Sequence, residues 1–227
     1  MSVPEPDHSG HRARLRERLI TGGGDTLLDH ELIEYLLMLA VPRRDTKGLA
    51  KRLIAEFGGM AELLAADAGS IARVKDAGDS VVAAIKIAQA VAIRVLRAEV
   101  SAQPVLANWQ ALIDYLNARL AHQTIESVRV LHLNTRNVLI RDEEMSRGSI
   151  DESAVYVREV IRRAIELGSA ALILVHNHPS GDPAPSRADI EITRNVIEAG
   201  KRMGIAVHDH LIIGRGGHAS MRSMGLI

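Results

Sequence analysis

The chain has 227 residues, 47% of them hydrophobic, with 28 basic and 28 acidic side chains and no cysteine. That is enough apolar material for one substantial core or two modest ones. The absence of cysteine excludes disulfides, thiolate metal sites and cysteine nucleophiles, while zero net charge argues against a whole-surface grip on nucleic-acid phosphates and leaves local basic patches open.

The opening stretch, MSVPEPDHSGHR, lacks the apolar core of a secretory signal, and LIEYLLMLAV and AALILV are too short to span a bilayer. The expectation is a cytoplasmic protein without membrane contact. Apolar residues at three- and four-residue spacings predict helices over 11–21, 29–40, 45–57 and 59–66, broken by the glycines after Thr21 and by Val41-Pro42. The longest uninterrupted helical pattern is 79–98, with Asp79 or Ser80 as N-cap. SAQPV, 101–105, reads as a linker, so the first domain is a helical one over 1–100 and the second runs over 106–227.

Beyond the linker the pattern changes. A helix over 107–121 precedes an alternating strand, Glu126 to Leu133, and Asn134-Thr135-Arg136-Asn137 turns it into a second strand, VLIRDEE. A helix over 154–167 leads to AALILV, a buried strand ending at His176; a helix from about 187 to 203 leads to IAVHDHLIIG. The glycine-rich tail adds a last short strand. Strands alternating with helices predict an α/β sheet domain behind a small all-α domain.

The chemistry concentrates in LVHNHPSGDPAPSRAD, 174–189. Residues two apart in a strand share a face, so His176 and His178 present two imidazoles together at a strand's C-terminal end, where open α/β sheets place their sites. Gly181, Pro183 and Pro185 stiffen the returning loop, and Asp189 brings a carboxylate back over the histidines. Two neutral imidazoles and a carboxylate make a three-ligand zinc site with one position left for water, and such an ion lowers the water's pKa to roughly 7. A plainer reading also fits: Ser186 and Asp189 form the S-x-x-D capping pair of a helix, which needs no metal. His-x-His alone is a weak signal. The full spacing of His-x-His, ten residues and Asp, with Pro179 after the second histidine and Ser186 three before the aspartate, is far more specific.

HNHPSGDPAPSRAD resembles the zinc metalloprotease motif of the JAMM (MPN-plus) class, in the form carried by the bacterial RadC family. GHRARLRERL, PRRDTKGLAKRLIAEFG, VYVREVIRRAIELG and the ending HDHLIIGRGGHASMRSMGLI extend the resemblance over nearly the whole chain. It implies a JAMM/MPN-type mixed sheet flanked by helices, cytidine deaminase-like in architecture, and a zinc ion on His176, His178 and Asp189. It further implies that Ser186 steadies a tetrahedral intermediate as an oxyanion donor, and that a glutamate at the start of an earlier strand is the general acid/base. The best match for that glutamate is Glu126, and its role rests on the resemblance alone.

His208-Asp209-His210 is a second His-x-His, but no third ligand stands at a characteristic distance. A structural role, or for His210 a hydrogen bond behind the metal ligands, is favoured. His8, His11 and His30 read as surface histidines. Zinc deaminases need a P-C-x-x-C pair and are excluded; H-E-x-x-H and the phosphate-cradling glycine loop are absent. FGGMAELLAADAGSIARVKDAGDSVVAAIKIAQ is similar to a helix-hairpin-helix module, which grips DNA phosphates through a Gly-x-Gly turn. Here Asp76 holds the first glycine position and Asp79 adds a second carboxylate, both of which would repel DNA. A plain helical protein-contact domain fits equally well, and the arginines at 12, 14, 16 and 18 read as a solvated helix.

Two functions follow. One is a zinc-dependent hydrolase of JAMM type, cleaving an amide or isopeptide bond in a peptide or protein-conjugate substrate. The other is a DNA-associated accessory or repair protein with a structural or vestigial metal site. Nothing in the sequence names the substrate or the oligomeric state.

Overall fold

The computed structural model describes residues 8–148 and 157–227. The start of the helix expected at 154 and the side chain of His8 lie outside them. The chain divides into two compact units, Met1–Val91 and Ala92–Ile227.

The first unit is all-helical: α1 (His8–Gly22), α2 (Asp29–Ala40), α3 (Lys47–Phe57), α4 (Met60–Ala65), α5 (Ala68–Ala72) and the first half of α6 (Asp79–Ala102). Its apolar stripes meet in a core that includes Ile33, Leu37, Leu53, Leu63, Ile71 and Ile85; each such side chain contributes roughly 1.5–3 kcal/mol on burial. The short α5 was not expected. Asp67 starts it by accepting the Ser70 N–H at 2.9 Å, an N-cap too brief to show as periodicity. His11 is not a free surface histidine: its Nε2 lies 2.9 Å from Oε1 of the buried Glu34. At the hairpin turn, Asp76 adopts a left-handed backbone, φ 74°, the conformation glycine usually supplies. Its charge is not left to repel a ligand, because Arg52 at 2.8 Å and Arg44 at 3.3 Å both face it.

The second unit opens within α6, whose Val100 is buried in its core. The expected linker at 101–105 is not a free connector. Helix α6 runs on to Ala102, and Val105 is fully buried with its N–H bonded to the Asn137 carbonyl at 2.8 Å. An apolar residue that reaches a core ends a linker, whatever prolines surround it. Then come α7 (Trp109–Leu120), β1 (Ser127–Leu133), β2 (Leu139–Arg147), α8 (Val157–Glu166), β3 (Ala171–Asn177), α9 (Arg187–Arg202), β4 (Ala206–Gly214) and β5 (Gly217–Ser220). The strands form one mixed sheet in the order β2-β1-β3-β4-β5, with β3 and β4 parallel and the other pairs antiparallel.

Period-two alternation assigns the faces. Leu131, Leu133, Ile173, Val175, Leu211 and Ile213 pack against α7 residues such as Leu112 and Leu116. Val130, Leu172 and Leu174 pack on the opposite side with Val160 of α8 and Val196 of α9. Being covered on both sides, β3 is apolar throughout, until it ends at His176 and Asn177. The β1–β2 turn follows from Asn134, whose Oδ1 accepts the N–H groups of Arg136 at 2.9 Å and Val138 at 3.0 Å. No described helix is long and apolar enough to cross a membrane.

Candidate metal centre

His176 continues the Leu172–Leu174 face of β3 and so points toward α9, beside the N-terminus where Asp189 sits. His178 follows just past the strand, with the two rings 4.7 Å apart. His176, His178 and Asp189 each offer one ligand atom, all within 4.8 Å of one another, so the group could hold a metal ion. Among the described residues it is the one such group.

Hydrogen bonds behind the rings decide where each lone pair points. Thr193 Oγ1 lies 2.5 Å from the Asp189 carbonyl, which can only accept, so the threonine proton goes there. The hydroxyl then accepts from Nδ1–H of His210 at 2.6 Å. That leaves Nε2 of His210 as an acceptor, and it takes Nδ1–H of His176 at 2.8 Å. His178 donates its own Nδ1–H to the Asp182 carbonyl at 2.8 Å. Both Nε2 atoms therefore carry bare lone pairs, and they face each other at 2.8 Å. Two lone pairs at that distance repel unless a cation lies between them. Asp189 adds its Oδ1 at 3.4 Å from His176 Nε2 and its Oδ2 at 3.8 Å from His178 Nε2. The donor set fits a metal that accepts nitrogen and oxygen ligands.

The electrostatics agree. Burial pushes His176 down to about 4 and His210 down to about 3, so both rings are neutral at pH 7 and suited to ligation. Burial would raise Asp189, but His176 and the hydrogen bonds from Ser186 outweigh it and hold the carboxyl below its usual range. Glu126 immediately precedes β1, half-buried and outside the ligating group. Burial raises its carboxyl; His178 pulls the other way and Asp189 pushes with burial, which places Glu126 in the electrostatic reach of both.

Ser186 is the N-cap of α9: its Oγ accepts Asp189 N–H at 3.2 Å, while Asp189 Oδ2 accepts Ser186 N–H at 2.7 Å. The capping and ligating readings of this pair are compatible, since Oδ1 remains turned to His176. The loop after His178 lies across the β4–β5 turn. His178 N–H bonds to the Ile213 carbonyl at 2.9 Å, and a side chain at Gly214 would overlap the Gly181 carbonyl.

The second His-x-His separates. Leu172 pairs with Val207 but Ile173 pairs with Asp209, so one extra residue bulges β4 at His208. His210 thereby joins His176, whereas His208 turns to Asn137 Oδ1 at 2.7 Å. Sequence reasoning missed Thr193, and the signal was there: it stands four residues after Asp189, on the same helix face. Asp182 could not be found, because it acts through its backbone carbonyl.

A mixed sheet between helices, with His176, His178 and Asp189 gathered at the end of a parallel strand, defines an α/β domain of the JAB (JAMM/MPN) type. The family model for the RadC-like JAB domain matches residues 106–226. A UPF0758 protein of Rhodobacter capsulatus is 48% identical over 213 residues, 94% of this chain and 100% of its own length. A UPF0758 protein of Ruegeria pomeroyi is 46% identical over 217 residues, 96% of this chain and 97% of its own. The chain belongs to the RadC family.

Proposed function

We propose that the protein is a zinc-dependent hydrolase that cleaves an amide or isopeptide bond in a peptide or protein-conjugate substrate. The observation that carries this reading is the pair of bare Nε2 lone pairs, 2.8 Å apart beside a carboxylate, with both ring protons committed elsewhere. Zinc held by His176, His178 and Asp189 would supply Lewis acidity, polarising the carbonyl and acidifying water. Glu126 would take a proton from the attacking water and deliver it to the leaving nitrogen as the C–N bond breaks. Its raised carboxyl suits a group that must accept a proton and release it again. Ser186 accepts the Asp189 N–H at the helix cap, and its hydroxyl proton would turn to the oxyanion as that charge develops.

Metal analysis tests the site. Purified protein should carry about one zinc per chain, and unchanged zinc in the His176→Ala/His178→Ala variant would overturn the assignment. Against a library of peptide and isopeptide bonds, Glu126→Gln should keep its zinc and lose roughly 10²–10⁴-fold in hydrolysis. Glu144→Gln, which faces Arg129 in the hairpin at 2.9 Å, is the control that should keep its activity.

A second reading, DNA contact through the helical unit with a structural or vestigial metal site, has one observation in its favour: Arg44 and Arg52 offset the Asp76 charge at the hairpin turn. Salt-dependent binding of branched DNA by the full chain would support it. A lack of binding at low salt would remove it.

A further inference from the structure

The residue between the two histidines faces away from them. Asn177 is 1% exposed, and its side chain reaches across to the segment that leads into β1. The backbone ladder between β1 and β3 ends at the Val128–His176 pair. One residue further on, the Asn177 amide takes over: Oδ1 accepts Ser127 N–H at 2.9 Å and the Ser127 hydroxyl at 3.0 Å, and Nδ2 donates to the Ile125 carbonyl at 3.1 Å. These bonds hold the residue before Glu126 and the residue after it. The carbonyl of Glu126 itself is tied to Gly148 N–H at 3.1 Å, so its backbone is fixed from both neighbouring strands.

We infer that Asn177 is the positioning residue for Glu126: it couples the strand that carries the metal histidines to the carboxylate that moves the proton. The inference rests on the function proposed above. An amide side chain is the group that can do this, because it offers an acceptor and a donor in one plane and so imitates one more rung of the ladder. The alternation of β3 supplies the rest. The side chains of His176 and His178 leave one face for the metal, and that of Asn177 leaves the other, so one tripeptide sets ligands and base together. Asp at this position would keep the acceptor, lose the donor to Ile125 and add a charge near Glu126. Ala would lose every bond.

The test uses zinc-loaded and cobalt-substituted full-length protein with acetohydroxamic acid as the probe. A hydroxamate yields its hydroxyl proton to a neighbouring base as it chelates the metal, so its affinity reports the placement of that base without a known substrate. Glu126→Gln should weaken binding about tenfold, and Asn177→Ala by a similar factor with the metal retained, each step of ten being about 1.4 kcal/mol. The Glu126→Gln/Asn177→Ala variant should bind no more weakly than Glu126→Gln alone, because the amide acts only through the carboxylate. A merely structural asparagine would lower the melting temperature without that coupling.

If Glu126→Gln binds as the wild type does, the reading of Glu126 as base fails, and this inference with it. If Glu126→Gln weakens binding but Asn177→Ala does not, or the two losses multiply, the inference alone is overturned. Should Asn177→Ala lose its metal, Asn177→Asp and Ser127→Ala decide: weakened binding with metal in place upholds the inference, and wild-type affinity in both overturns it.

Discussion

Two His-x-His tripeptides lie on neighbouring parallel strands of one sheet, and they come to different ends. His176 and His178 stay together at the tip of β3, where α9 brings Asp189 over them. His208 and His210 are parted by the bulge in β4, one turned to Asn137 and the other to His176. The difference teaches that a spacing of two is an address only while the strand keeps its phase. One extra residue resets which side chains share a face. The second tripeptide thus contributes half of itself to the first, as the hydrogen-bond acceptor that turns the His176 ring.

The largest expected effect separates the two tripeptides directly. His178→Ala should take bound zinc from about one per chain to near zero, and His208→Ala should leave it unchanged, both measured by elemental analysis after dialysis. Retained zinc in His178→Ala, or loss in His208→Ala, breaks the comparison.

The next sharpens the role of His210. Thr193→Val preserves shape but removes the hydroxyl that orders His210 and through it His176. Zinc affinity should fall about 10–100-fold, the usual cost of losing such a supporting partner. Competition with a chromophoric chelator would measure it, and an unchanged affinity would show that the His176 ring is oriented by packing alone.

The smallest effect concerns a buried histidine outside both tripeptides. His132 is fully buried with its Nδ1 2.9 Å from Ser169 Oγ, and burial pushes it down to about 4. Its folded value lies below the unfolded one of about 6.5, so the unfolded chain binds the extra proton first. The stability it contributes is complete above the unfolded value and is lost as pH falls toward 4. At about pH 5 the loss reaches at most about 2 kcal/mol. In metal-free protein, His132→Gln should flatten the fall in melting temperature between about pH 7 and 5. A slope unchanged by that variant would assign the acid sensitivity to the histidines of the metal group.

Much of this was readable in the chain. The faces of β1 followed from its alternation, β3 was legible as a buried apolar strand, and the gathering of His176, His178 and Asp189 followed from their spacing, because a strand end, a stiff loop and a helix start are all local. Less local features were not readable. The course of the chain through 101–105 depended on the core that Val105 reaches, and His11 looked exposed until α2 placed Glu34 beside it. Asp76 looked repulsive because its two arginine partners, Arg44 and Arg52, stand more than twenty residues away in sequence.

What the sequence determined by itself was therefore the inventory and its phase: which residues could gather as a ligand set, which strand carries two of them, and which loop returns the third. The tertiary structure decided direction. Whether a nitrogen bears a proton or a lone pair depends on partners such as Thr193, His210 and the Asp182 carbonyl. Whether the chain beside Glu126 is held in place depends on the Asn177 amide, fifty residues from Ser127 in sequence. Hydrogen bonds are set by angles and distances between separate elements, and a one-dimensional pattern contains neither until the sheet has formed.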